Sequence, residues 1–469
     1  MRDTSSVLPL IETTRHEPLG RVVPLLKAAL LLGICGGFLL AMVLVLTDVL
    51  SLPLNGWWAA LAQAHGHLQL YGWAGLFLVG LVLHFLPRLR GAPLIAPWLI
   101  PWIVIIQVAA LLMRLLSQPL LVVTGNTVWR ILLVLSGVLE CVALGTAVLL
   151  FALMILRRPL LATRRIFRGS LPFLGGAFAA LALAALVNLG NVVQAAAGTG
   201  LVQGQGDALN VTLGLLGFLV PVALAISARS LPANSRVKGF SLQVLWSLSA
   251  AYFVGLALTF IGMSWSSSFP WLGVMSGFGM ILLGAVILTF STLFLRLLNS
   301  RRHKEPPSPS AQNGTQTAQT KIASEHDTYG SFMLLIASSY LWAAFGALLL
   351  AIDGVAALLG IMPIFPLDAM QHSFALGFVA LLLAGVSVRI LPGFSGHKIA
   401  GPAWVTALFW LGNTAAVLRI GPMLLLPALV AWGNVGITLY EILFGLSGPV
   451  GLAFGIGLAI NLWPVLKST

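Results

Sequence analysis

Charge is what this chain of 469 residues has least of: Asp, Glu, Lys and Arg make up 8%, against 59% hydrophobic residues. With a mean hydropathy of +1.01, the apolar residues cannot form one soluble core. The composition is that of an all-α polytopic membrane protein. Cysteine is as scarce: Cys35 and Cys141 are the only two, which excludes a disulfide framework. Both fall in apolar runs, where small thiols are expected to be buried in packing and say nothing about redox compartment. Acidic residues number 12 against 25 basic ones. The net charge of +13 follows membrane topology and gives little support to nucleic-acid binding. No small-residue cleavage site follows the first apolar run, and Asp3, Glu12 and Glu17 precede it, so that run is expected to be a retained helix.

What the chain has instead is a series of runs long enough to cross about 30 Å of hydrocarbon as helices. They fall at 24–49, 57–86, 97–116, 127–156, 170–197, 207–230, 241–263, 270–298, 329–352, 366–391 and 403–420, counted below as spans 1 to 11. About forty more apolar residues follow Pro422, interrupted by Gly445, Gly448 and Pro449, and length alone allows twelve or thirteen spans. Basic residues collect at cytoplasmic flanks. With the N-terminus inside, only Arg114, Arg130 and Arg419 of the 25 basic residues fall on the outer side, and a cytoplasmic Lys467 favours twelve spans with both termini inside. Arg157, Arg158, Arg164, Arg165 and Arg168, the densest basic cluster, read as a positive-inside anchor that could touch anionic lipid.

Two stretches 305 residues apart share a template: His67, Gly72, Gly80, Leu86, Pro87 and Gly91, then His372, Gly377, Gly385, Leu391, Pro392 and Gly396. The same shift puts Pro97 on Pro402 and Arg114 on Arg419. A weaker copy lies between them, with Gly217, Arg229, Leu231 and Pro232 in register, so spans 2, 6 and 10 are equivalent members of three four-helix units. The organisation expected is a cytoplasmic tail (1–23), four-helix units at 24–168, 169–299 and 329–469, and a disordered cytoplasmic linker (300–328) rich in Pro, Ser, Thr and Gln. In the middle unit the positions of His65 and His67 hold Asn210 and Thr212, so metal chemistry is expected from the outer two units alone.

Histidine inside a membrane span is costly and is a functional candidate by default. Matched histidines on two buried helices are the natural axial ligands of a low-spin, bis-histidine haem iron. His372 is one candidate. Because residues two apart on a helix point about 200° from each other, only one of His67 and His65 can be its partner: repeat register favours His67, and both stay open. His65 is equivalent to Met370, and an imidazole with a thioether would suit copper, although Met also fills gaps in apolar cores. Arg114 and Arg419 could receive the haem propionates, or simply snorkel to the interface. His84 and His397 read as structural, and His16, His303 and His326 as solvated bystanders. Asn188, Asn191 and Gln194 recur every three residues along span 5, a stripe that bonds a neighbouring helix or lines a wet path. Glu140, Asp207, Asp353, Asp368 and Glu441 show no spacing that marks an acid/base pair or proton relay.

At these residues the chain resembles the NnrS family of bacterial haem- and copper-containing membrane proteins. The match is H-x-H-x-x-L-aromatic-G over His65 to Gly72, then His372, Gly377, Gly385, Arg389, Gly393 and Gly396, with an R-x-x-P corner at Arg229 and Pro232. It departs at Leu68, where the family usually has an acidic residue, and around Ser395, Gly396 and His397. The resemblance implies a haem, possible copper, a bacterial cytoplasmic (inner) membrane location, and a role in the nitric oxide and nitrosative stress response by sensing or electron transfer. A redox partner or a small diatomic gas is the implied partner besides the lipid bilayer. More distantly the family is similar to haem-copper oxidase subunit I, in which span 10 ligands match His372 and Met370 and arginines near span 11 meet the propionates. That superfamily also needs copper-binding histidines on spans 6 and 7, and this chain has none there. A terminal oxidase or nitric oxide reductase is therefore disfavoured. If the protein is an enzyme at all, the resemblance implies a haem-dependent oxidoreductase. The competing class is a cofactor-free transporter, in which His67 and His372 would gate or couple protons; the lack of a charged midplane site weighs against it.

Overall fold

The computed structural model describes residues 19–90, 93–156, 165–235, 239–265, 268–269, 271–300 and 327–467. The N-terminal tail with His16, the linker with His303 and His326, and Arg157, Arg158 and Arg164 lie outside the described residues, apart from the last few positions of tail and linker. All regular secondary structure among the described residues is helical, and twelve helices are long and apolar enough to cross a membrane. They are Val23–Val49, Gly56–Arg88, Leu99–Thr124, Thr127–Leu156, Arg168–Ala197, Gly204–Ala228, Leu242–Trp265, Leu272–Asn299, Phe332–Leu358, Leu367–Ser395, Pro402–Ala431 and Asn434–Leu466, renumbered here as spans 1 to 12.

The final stretch divides later than its prolines suggest. Pro422 and Pro427 lie inside span 11, Pro449 lies inside span 12, and the break comes at Trp432 and Gly433. Proline ends a helix less readily in a membrane, where neighbouring helices can satisfy the freed carbonyls. Gly433, at φ +70, supplies the left-handed turn that a larger residue resists. Span 3 likewise runs on through Pro119.

Burial separates the spans into two kinds. In spans 2, 6 and 10, 94%, 83% and 83% of the most apolar window is buried, against 33% in spans 3, 7 and 11. The three repeat-equivalent spans are therefore interior. Spans such as the third are built inside out: Trp102, Ile105, Leu112 and Leu116 are exposed, as a lipid-facing side requires, while Gln107, Arg114 and Gln118 are buried. Cys35 follows the outward pattern. It is exposed and Cys141 half-buried, so the expectation that both thiols pack inside is corrected for Cys35.

Spans 2, 6 and 10 also share a backbone distortion. Each begins as an α-helix and widens into a π-helical segment, at Leu68–Ala74, Leu213–Leu219 and Ser373–Ala380. The three segments begin in strict repeat register, directly after His67, Thr212 and His372. Such widened turns are rare and collect at functional sites. The repeated glycines explain how neighbours approach: a Cβ on Gly72 would meet Leu111 at 2.9 Å, and one on Gly377 would meet Trp342 at 2.6 Å.

The described residues pack as two compact units. One comprises the chain up to Gly37, Leu54–Leu219 and the end from Leu466; the other comprises Phe38–Pro53 and Val220–Val465. The first contains His65, His67 and Arg114, and the second Met370, His372 and Arg419. In the second, spans 7, 8 and 9 touch through small residues, with Gly262 against Ser276 and Gly277 against Gly354. Close backbone approach of this kind replaces the hydrophobic drive that lipid cannot supply.

Candidate functional site

His67 closes the first α-helical stretch of span 2 and is 4% exposed. Its Nδ1 lies 3.4 Å from Oε1 of Glu140 on span 4, and its ring lies 5.3 Å from that of Tyr71. A chain of polar side chains continues from the carboxylate. Asn188 Nδ2 donates to Glu140 Oε2 at 2.8 Å, Arg114 Nη1 to Asn188 Oδ1 at 2.6 Å, and Arg114 Nε to Gln118 Oε1 at 3.1 Å. Gln118 Nε2 then donates to Gln63 Oε1 at 2.6 Å, and Gln63 Nε2 to the Val202 carbonyl at 2.9 Å.

The direction of every bond in this chain follows from Arg114. A guanidinium only donates. Asn188 must therefore turn its oxygen to Arg114 and its NH2 to Glu140, and Gln118 must do the same towards Gln63. The span 5 stripe thus bonds neighbouring elements: Asn188 joins the chain, Asn191 donates to the Gly206 carbonyl at 2.8 Å, and Gln194 is exposed. Tyr71 Oη donates to Asn210, the residue equivalent to His65 in the middle repeat, at 3.1 Å.

His372 has a shorter arrangement in the second packing unit. Its Nδ1 lies 2.9 Å from both the carbonyl oxygen and Oδ1 of Asp368, one helical turn earlier. Arg419 Nη2 donates to Asp368 Oδ2 at 2.7 Å, and its guanidinium lies 4.5 Å over the Phe444 ring. Glu140 and Asp368, which showed no spacing that marks an acid/base pair or proton relay, are thus each the partner of a candidate histidine. The i, i+4 interval between Asp368 and His372 was legible as a helical pair. Glu140 was not: its repeat counterpart is Gly445.

The two histidines share one feature that decides what they can do. Each has Nδ1 against a carboxylate, which leaves Nε2 as the remaining ring nitrogen. Metal-ligating histidines have this second-shell pattern. Two buried donors, Nη2 of Arg114 and Nε of Arg419, have no hydrogen-bond partner among the described residues. An acceptor-rich anionic group such as a haem propionate fits them. Among the described residues no three His, Cys, Asp or Glu side chains cluster as a cage for a metal ion. A haem does not need one, because the porphyrin supplies four ligands and the protein only the axial ones.

The other candidates are placed as follows. His65 is half-buried, with Nδ1 3.0 Å from the carbonyl oxygen of Gly37, which belongs to a π-helical segment of span 1, Gly33–Phe38. Met370 is buried on span 10. His84 is buried beside Arg88, whose Nη1 lies 2.7 Å from its Nε2, and His397 Nδ1 contacts the Ser395 carbonyl at 3.0 Å. Both contacts are within one helical turn of chain. The side chains of Arg229, Leu231 and Pro232 lie outside those described.

The family model described as NnrS protein matches residues 319–448, a segment that holds Asp368, Met370, His372 and Arg419. Over that segment the chain is similar to the NnrS family. No curated protein matches the chain. The matched segment covers spans 9 to 11 and the first half of span 12, so the Asp368, His372 and Arg419 cluster lies wholly within it.

Proposed function

We propose that this protein is an integral membrane haem protein in which Nε2 of His67 and Nε2 of His372 serve as iron ligands. The observation that carries the reading is the carboxylate at Nδ1 of each, Glu140 for one and Asp368 for the other. Within its own packing unit, each of Arg114 and Arg419 has a buried donor without a partner among the described residues that would suit a haem propionate. Haem would supply one-electron chemistry and an affinity for diatomic gases. What this chain's own residues do is hold each imidazole, on an interior span, with its Nδ1 against a carboxylate, His67 buried and His372 half-buried.

The resemblance to the NnrS family implies a role in the response to nitric oxide, by sensing or electron transfer, in a bacterial cytoplasmic membrane, and the match over residues 319–448 supports the resemblance. The distribution of Lys and Arg supports both termini on the cytoplasmic side. Copper is a second metal that His65 and Met370, an imidazole and a thioether, would suit.

A reduced-minus-oxidised absorption spectrum of the detergent-purified protein tests the reading. Sharp low-spin bands are expected in the wild type, and their loss in H67A and in H372A. A folded wild type without colour or metal would overturn the proposal in favour of a cofactor-free transporter. Elemental analysis of the same sample decides copper.

A further inference from the structure

Glu140 is a carboxylate that no motif announces. It is 1% exposed on span 4, and both of its oxygens face polar groups of the first packing unit. We propose that Glu140 is the positioning residue of His67, keeping the imidazole proton on Nδ1 and the lone pair on Nε2, and that Arg114 acting through Asn188 holds Glu140 in that role. The inference deepens the haem reading and rests on it for its consequence, but its geometric part stands on the apoprotein.

The assignment runs outward from one group that can only donate. Arg114 Nη1 takes the oxygen of Asn188, which forces the Asn188 NH2 onto Glu140 Oε2. Oε1 is then left for His67 Nδ1, and an ionised carboxylate accepts only. The proton therefore sits on Nδ1. At 3.4 Å the contact is long for an N–H···O bond, but an acceptor-only carboxylate facing Nδ1 still favours the tautomer with its proton there. The opposite tautomer would place a proton on Nε2 and block it as a ligand. Helix packing alone would need neither a charged pair nor an amide interposed between Arg114 and Glu140 in the correct orientation.

The near-isosteric variant E140Q tests this without altering volume. Asn188 still donates to the side chain at 140, and now takes its only oxygen. The new amide NH2 must face His67 Nδ1, which becomes the acceptor, and the proton moves to Nε2. The double variant E140Q/N188D reverses this: the carboxylate at 188 accepts from both Arg114 and the amide, whose oxygen turns back to His67. Nitrogen-15 NMR of the histidine-labelled full chain in lipid, with H67A to assign the signal, reads the tautomer directly. Expected are Nδ1–H in the wild type, Nε2–H in E140Q, and Nδ1–H again in the double variant.

In haem-loaded protein, E140Q should weaken haem retention by about 10–100-fold, the range typical of second-shell changes, and the double variant should restore it. An Nε2–H tautomer in the wild type, or an unchanged tautomer in E140Q, overturns the proposal. A wild type without haem sinks the proposed function while leaving the tautomer measurement to decide this one.

Discussion

Asp368 Oδ2 lies 2.7 Å from Arg419 Nη2, and the same carboxylate meets His372 Nδ1 through its other oxygen at 2.9 Å. Arg419 is thus tied to its histidine through one acid, while its Nε remains without a partner. The variant R419K keeps a positive charge near Asp368 but removes the guanidinium fork. It should fold with near-native thermal stability and bind less haem, read as the haem-to-protein ratio after detergent washing. Full haem content in R419K would argue against a propionate at this arginine.

The repeat glycines should differ in cost by what faces them. A Cβ on Gly377 would meet Trp342 Cγ at 2.6 Å and Cβ at 2.7 Å, next to the backbone, whereas one on Gly72 would meet the far end of Leu111 at 2.9 Å and Leu32 no closer than 3.4 Å. Overpacking of this kind costs about 1–3 kcal/mol. G377A is expected at the upper end, G72A at the lower, and G393A, with nothing within 4 Å, near neutral. Thermal unfolding in a fixed detergent orders the three, and a G393A as unstable as G377A would contradict the packing described.

Gln63 and Gln118 are the part of the polar chain furthest from His67, joined at 2.6 Å. Q63A strands both the Gln118 NH2 and the backbone of Val202, so a loss of about 1–3 kcal/mol is expected. In Q118A the Gln63 oxygen keeps its bond from the Val202 N–H at 3.1 Å, but the buried Arg114 Nε loses its acceptor, so the loss should be at least as large. A double-mutant cycle should show coupling of about 0.5 kcal/mol or more. Strict additivity would mean that the two amides do not act on one another.

In the second packing unit, Trp342 Nε1 donates to Asn413 Oδ1 at 3.0 Å, and Asn413 Nδ2 donates to the Phe409 carbonyl at 2.7 Å. Hydrogen bonds between membrane helices average about 0.6 kcal/mol and reach about 1.7. N413A should therefore lower stability by an amount in that range without changing haem content. A large loss of haem in N413A would place this pair closer to the chemistry than its bonds suggest.

The helical class, the twelve apolar spans and the template shared by spans 2, 6 and 10 were legible in the residues alone. These are written in hydropathy and in a 305-residue repeat, and both act along the chain. The sequence also singled out His67, His372, Arg114 and Arg419, because charge and imidazole in an apolar run stand out against their neighbours. Only the tertiary structure decided which acid serves which histidine. Asp368 was within reach, one turn from His372 on the same helix, but Glu140 meets His67 across 73 residues of chain with no counterpart in the other repeats. The π-helical turns after His67, Thr212 and His372 were equally hidden, although they begin at matching positions of the repeat. Side chains brought together by folding leave no period in sequence, and hydrogen-bond direction is set only when donor and acceptor meet.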